Sequence, residues 1–185
     1  MLTNQNLSAF NGVIMSELVM DKSDTESIAE QYLTFMVDEE IFGLDILNVK
    51  EIIAYHSLAK VPLMPDFIAG VINLRGNVVP VVDLSQRFGG PPAKITKRTT
   101  IIIIELRGED LHLDIGIIVD LVNEVLDIMP EEIELAPSFG TSIRTDFIKG
   151  MGKVKNKLLV LLDITYVLSI DELSVVGGLQ VQAGT

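Results

Sequence analysis

The chain has 185 residues, enough for one domain or for two small ones that share a core. Its 14 Lys and Arg against 26 Asp and Glu leave a net charge of −12, the wrong sign for a phosphate-binding surface, so nucleic acid is not expected as a partner. Cysteine is absent, which removes disulfides, thiol nucleophiles and thiolate metal sites together.

Leu, Ile and Val supply 64 residues and aromatics only 5%, so a sizeable core of branched aliphatics is expected. The longest apolar runs, residues 101–104, 78–82 and 158–162, fall far below the roughly 18 residues of a membrane span, and no direct membrane insertion is expected. Residues 1–20 hold no Lys or Arg and no compact apolar run, which is not a secretory pattern, so a cytoplasmic location is expected.

Residues 1–29 are polar and acidic and read as a tail, although Leu7, Phe10, Ile14 and Leu18 recur at the spacing of a short amphipathic helix. From Tyr32 the chain becomes a series of short runs rich in Val, Ile, Leu, Phe and Thr, broken by charged turns, which is a chain of strands. Residues 32–37 and 41–46 flank 38–40 as one hairpin, and 99–106 and 111–119 flank 107–110 as another. Short helices are predicted over 84–88 and 164–168, where Asp83 and Asp163 can cap the first free amides, and a last one over about 170–176. The body of the protein is thus expected over 30–173, with a C-terminal tail over 174–185.

The chain also repeats itself. Residues 67–71 lie over 147–151 at an offset of 80, and 78–85 lie over 158–165 at the same offset without a gap. Upstream, at an offset of 73, Gly43, Leu44, Ile46, Val49, Glu51 and Ile52 lie over Gly116, Ile117, Val119, Val122, Glu124 and Val125. Each copy has four or five strands, too few for an open sheet to bury both faces, so closure of each into a small barrel and packing of the two barrels on each other is expected. Pro80, inside a Val-rich run, predicts an edge strand or a bulge in the first copy, because it removes a ladder donor. The apolar run 101–104, set between charged residues, reads as a strand buried on both faces.

No catalytic set has usable spacing. His56 and His112 have no second His or Cys nearby, and a phosphate-binding Gly loop is absent, so no metal or cofactor is expected. Asp83 and Asp163 are read as caps, Asp45 and Asp114 as solvent-facing strand residues. Glu51 matches Glu124 and Arg75 matches Lys155, so each copy keeps an acid on a strand and a base in the equivalent turn; an ion pair within each copy, with the Arg75 fork fixing a turn, and a direct binding role are both open and compatible. Gly70, Gly76, Gly116 and Gly150 supply positive φ or close backbone approach.

The motifs Gly43-Leu44-Asp45-Ile46, Val49-Lys50-Glu51-Ile52, Gly70-Val71-Ile72-Asn73-Leu74-Arg75-Gly76, Val79-Pro80-Val81-Val82-Asp83-Leu84 and Gly116-Ile117-Ile118-Val119-Asp120, together with Tyr32-Leu33-Thr34-Phe35, resemble the CheW coupling proteins of bacterial chemotaxis over about residues 30–170. The resemblance implies a mainly β fold of two interleaved five-stranded SH3-like barrels around a common apolar core, and no catalysis. It implies an adaptor that couples the cytoplasmic tips of chemoreceptors to the regulatory domain of a CheA-type histidine kinase, recruited to membrane-associated receptor arrays. Carried over by position, the receptor groove falls on Val49, Glu51, Gly70, Gly116, Val122, Val125 and Gly150, the assembly-shaping pair on Arg75 and Glu51, and the kinase contact on Ile52 and Val78. Ser85 departs from the pattern, standing where an Arg often follows Asp-Leu. A competing reading from another class is a small β-barrel ligand binder or enzyme with a pocket near Asp45, His112 and Asp114; an oligonucleotide-binding barrel is disfavoured because basic and aromatic strand faces are lacking.

Overall fold

The computed structural model describes residues 27–107, 112–137 and 140–169; the helical pattern at Leu7–Leu18 and the helix expected over 170–176 lie outside them. Among the described residues the chain forms ten strands: β1 (Glu30–Val37), β2 (Glu40–Asp45), β3 (Val49–Ala54), β4 (Ile68–Leu74), β5 (Asn77–Asp83), β6 (Thr100–Arg107), β7 (His112–Val119), β8 (Leu121–Ile128), β9 (Ile148–Val154) and β10 (Lys157–Leu162). Two four-residue helices, α1 (Leu84–Arg87) and α2 (Ile164–Val167), follow β5 and β10. Both are capped as the sequence predicts. Asp83 accepts from Gln86 N at 3.3 Å and Asp163 from Thr165 N at 3.1 Å, each satisfying an amide that has no partner within the helix.

The strands make two five-stranded sheets, ordered β8-β1-β2-β10-β9 and β3-β6-β7-β5-β4. The two repeat copies pair identically: β10 runs parallel to β2 through Leu161 opposite Gly43, and β5 runs parallel to β7 through Val81 opposite Gly116. One expectation is corrected here. A repeat copy does not close on itself, because each sheet takes three strands from one copy and two from the other, the hairpins β1–β2 and β6–β7 having crossed over. The second subdomain is therefore continuous in sequence from β3 to β7, and the first is assembled around it.

Pro80 is also resolved differently. Strand β5 lies inside its sheet, between β7 and β4. Opposite Pro80 stands Val71, whose N–H and C=O both bond Ala59 at 2.9 and 3.0 Å and so face away from β5. The parallel ladder to β7 begins only at Val81, one residue past the proline, whereas in the other copy it already includes Val160. The missing donor thus costs nothing toward β4 and leaves the ladder to β7 one pairing shorter than its counterpart in the other copy.

Burial follows from the alternation of strand side chains. Ile101 and Ile103 turn into the second subdomain with Ile72, Val79, Val81 and Ile118. Ile102 and Ile104 turn the other way, into a larger cluster shared by both sheets with Leu33, Phe35, Phe42, Leu44, Ile115 and Ile117. All four isoleucines are fully buried, as a strand covered on both faces requires. The first subdomain has its own smaller cluster of Tyr32, Ile128, Leu159 and Leu161.

Candidate interaction site

The site is built on β3 and β8, one end strand of each sheet. Each has a register shift near its start: between Val49 and Glu51 where β3 meets β6, and between Leu33 and Phe35 of β1 where β1 meets β8. The extra residue reverses the in-and-out alternation. Val49 therefore packs on the shared core while Ile53, of the same parity, packs on the second subdomain's own cluster; Val122 and Leu126 do the same on β8. Val49 and Val122 end up half-buried, one at the margin of each sheet, with apolar surface available beside the common core.

Glu51 and Arg75 are brought together. Arg75 donates from both terminal guanidinium nitrogens to the two carboxylate oxygens at 3.0 and 2.9 Å, tying the β4–β5 turn across to β3. In the other copy Lys155 reaches Glu124 at 3.1 Å and ties the β9–β10 turn to β8. These hooks join strands at opposite ends of each sheet's order, which curls the sheet toward a barrel. The turns themselves need positive φ at both central residues, supplied by Arg75 and Gly76 at 52° and 91° and by Lys155 and Asn156 at 48° and 63°.

The three glycines assigned to the groove are positions of close packing. A Cβ at Gly70 would lie 2.5 Å from the Ala59 carbonyl oxygen, one at Gly116 would lie 2.9 Å from Ile101 and 3.1 Å from Val81, and one at Gly150 would run into Ile133. Gly116 thus belongs to the interior of the second subdomain, and all three can affect a surface only through the backbone they set. Ile52 and Val78 are exposed, at 44% and 63%, and so are their repeat equivalents Val125 and Leu158. Val125 accordingly sits with this outer apolar pair and apart from half-buried Val122.

Asp45, His112 and Asp114 each engage separate partners. Asp45 accepts from Leu47 N at 2.9 Å in the first subdomain's sheet, Asp114 pairs with Lys50 at 2.7 Å, and His112 lies 3.8 Å from Glu105. Among the described residues no group of three or more His, Asp or Glu could hold a metal ion.

Two arrangements escaped the sequence reading. Arg87 lies 4.7 Å from the Phe67 ring centroid and 4.9 Å from that of Phe147, and its Nε donates to Val167 O at 2.8 Å, so a cation two residues beyond Ser85 clasps the repeat-related phenylalanines. Ser85 itself is buried against the Asp38 carboxylate and lies 2.6 Å from the Pro91 carbonyl oxygen. Lys149 donates to Tyr32 Oη at 2.9 Å and Glu30 at 3.1 Å, and Tyr32 donates to Glu30 at 2.6 Å. The Tyr32 and Lys149 bonds hold the Glu30 carboxyl below the usual range; for Lys149, burial opposes the ammonium but the bonds to Tyr32 and Glu30 outweigh it and raise its pKa. The signal for this network was present: Lys149 stands opposite Ala69 in repeat segments that share their Phe, Ile and Gly.

The arrangement is one of packed sheets with apolar margins. A CheW-like domain is matched over residues 31–172. The chain belongs to this family. It is 35% identical over 151 residues to the chemotaxis protein CheW of Klebsiella aerogenes, covering 82% of this chain and 89% of that one, and 39% identical over 140 residues to CheW of Bacillus subtilis, covering 75% and 86%. The crystal structure of the scaffolding protein TtCheW from Thermoanaerobacter tengcongensis superposes with a TM-score of 0.71 at 35% identity, covering 80% of this chain and 94% of that one. The CheW-like chain is therefore a non-catalytic adaptor of chemotaxis with two SH3-like subdomains. Among the described residues no helix is long and apolar enough to cross a membrane.

Proposed function

We propose that this adaptor joins the cytoplasmic tip of a chemoreceptor to the regulatory domain of a CheA-type histidine kinase, and that these contacts recruit it to membrane-associated receptor arrays. The observation that carries the reading is a scaffold with two separable kinds of apolar surface: half-buried Val49 and Val122 at the margins of the shared core, and exposed Ile52 and Val78 on the second subdomain. A helical receptor tip suits the first, since an apolar margin between two sheets can accept an amphipathic helix. The kinase domain suits the second, with the Arg75–Glu51 clasp shaping both neighbourhoods.

Calorimetric titration with the regulatory domain of the kinase from the same cell tests the kinase arm. One-to-one saturable binding is expected, weakened about tenfold or more by Ile52→Glu or Val78→Glu; no binding at high micromolar concentration rejects it. For the receptor arm, Val49→Glu and Val122→Glu are expected to weaken co-sedimentation with receptor signalling fragments while circular dichroism stays that of the folded chain. Unchanged affinity for both partners in these two variants and in Arg75→Ala rejects the site assignment.

A further inference from the structure

Two loops cross one end of the second subdomain, residues 55–67 between β3 and β4 and residues 88–99 between α1 and β6, with Met64, Phe67 and Phe88 packing on the shared core. Tyr55 and Leu58 from the first and Ala93 from the second pack on the same interior cluster, and Tyr55 N donates to Thr99 O at 3.2 Å. The loops are chemically unlike the rest of the molecule. Across residues 55–67 and 88–99 exposed Asp66 is the one acid, against four Lys and Arg, in a chain that has 26 Asp and Glu. The loops present Lys60, Lys94, Lys97 and Arg98, all exposed. Lys60 bonds the Ala69 carbonyl at 3.0 Å and Lys94 lies in the field of Asp120, but among the described residues none of the four forms an ion pair with a carboxylate.

Apolar side chains stand out from the same loops: Val61 at 37%, Ile95 at 48% and Leu63 at 100% exposure. Leu63 has φ +62°, a conformation that suits Gly or Asn and strains a residue with a branched chain beyond Cβ. Folding gains nothing from a leucine there, since its side chain is wholly in water and its backbone is in an unfavourable region. A contact made on binding accounts for both costs.

We propose that this end of the second subdomain docks an acidic, amphipathic segment of a protein partner, with Leu63 and Ile95 as anchors and the four cations around them. Charge decides the occupant. An anionic membrane or a nucleic acid presents charge over an extended area and meets the repulsion of a molecule carrying −12 overall, whereas a short acidic segment feels mainly the charges within the screening length of about 8 Å. The loops also offer no row of aromatic rings for base stacking. The inference is independent of where the receptor and the kinase bind.

The test is fluorescence anisotropy of the full chain with a labelled helical peptide bearing Glu on one face and Leu on the other, beside a peptide with Lys in place of Glu. Saturable, salt-sensitive binding of the acidic peptide alone is expected, about tenfold weaker in the Lys97→Glu/Arg98→Glu double variant and unchanged in Lys153→Glu, which alters a cation on β9. Leu63→Asn is expected to raise the melting temperature, because Asn tolerates the left-handed backbone, and yet to weaken the peptide. Equal binding of the two peptides, equal loss in the Lys153 variant, or a Leu63→Asn chain that binds as tightly as the parent overturns the proposal. So does tighter association with phosphatidylserine vesicles than with the peptide, or self-association through the same residues.

Discussion

Asp120 follows β7 and accepts from Asp38 N at 2.9 Å. Burial raises its pKa above the ordinary 3.8, the bond from Asp38 lowers it, and repulsion from the Asp38 and Asp83 carboxylates adds to the rise. A carboxyl raised by folding contributes stability below its unfolded pKa and loses it as pH climbs through the folded value. Asp120→Asn keeps an acceptor oxygen for Asp38 N and removes the charge, so it is expected to raise the melting temperature at pH 7 and to leave it unchanged below about pH 3.5. A melting profile across that range in which the variant and parent run parallel would contradict this. Glu30 has the opposite sign: lowered by Tyr32 and Lys149, it stabilises above its unfolded value and loses this as pH falls through the folded one. Lys149→Met is expected to lower thermal stability at pH 7 and to narrow that loss in acid, readable in the same scans; an equal drop at every pH would assign Lys149 a packing role alone.

At the scale of elements, the hooks and the tight glycines make separate predictions. Arg75 is 74% exposed and Glu51 20%, so solvent screening limits the worth of their pair to about 1 kcal/mol or less. Arg75→Ala should therefore lower the melting temperature by no more than about 2–4 °C, with a larger effect on hydrogen exchange in the β4–β5 turn than elsewhere. Gly70→Ala is a different matter, because its Cβ would press on the Ala59 carbonyl that accepts from Val71 N at 2.9 Å. Its expected effect is loss of exchange protection at Val71 and Ala59 and release of the 55–67 loop; retained protection there would show that the backbone gives way at no cost. These elements were legible to different degrees. The two hairpins, the capped helices and the doubly buried 101–104 strand follow from period, cap and composition, all local signals. The exchange of hairpins between copies does not, since β1 pairs with β8 and β3 with β6 across 46 or more residues and nothing in either strand's own pattern names its partner. For the site, the repeat exposed the Glu51–Arg75 pair and its counterpart, but the bulges that turn Val49 and Val122 toward the shared core left no local mark, and glycine identity alone could not tell a groove wall from a packed interior.

For the whole molecule the consequence is a core that neither subdomain owns. Residues 49–119 contain every strand of the second sheet and all its pairings, yet Ile102, Ile104, Ile115 and Ile117, each fully buried, reach their cover from Leu33, Phe35, Phe42 and Leu44 in the other sheet. Exposing four such side chains costs about 6–12 kcal/mol at about 1.5–3 kcal/mol each, as much as the whole net stability of an ordinary domain. The excised segment 49–119 is accordingly expected to stay unfolded or to associate, despite having a complete sheet. A cut in the 88–99 connection separates the repeat copies and leaves every pairing partner available in trans. The two fragments should therefore be unstructured apart and recover the β-sheet circular dichroism on mixing at one-to-one ratio. In the intact chain the same shared core makes the subdomains unfold together: scanning calorimetry should give one transition whose calorimetric and van't Hoff enthalpies agree. Two resolved transitions, or a folded monomeric 49–119, would mean that each barrel holds itself together and that the shared cluster is only an interface.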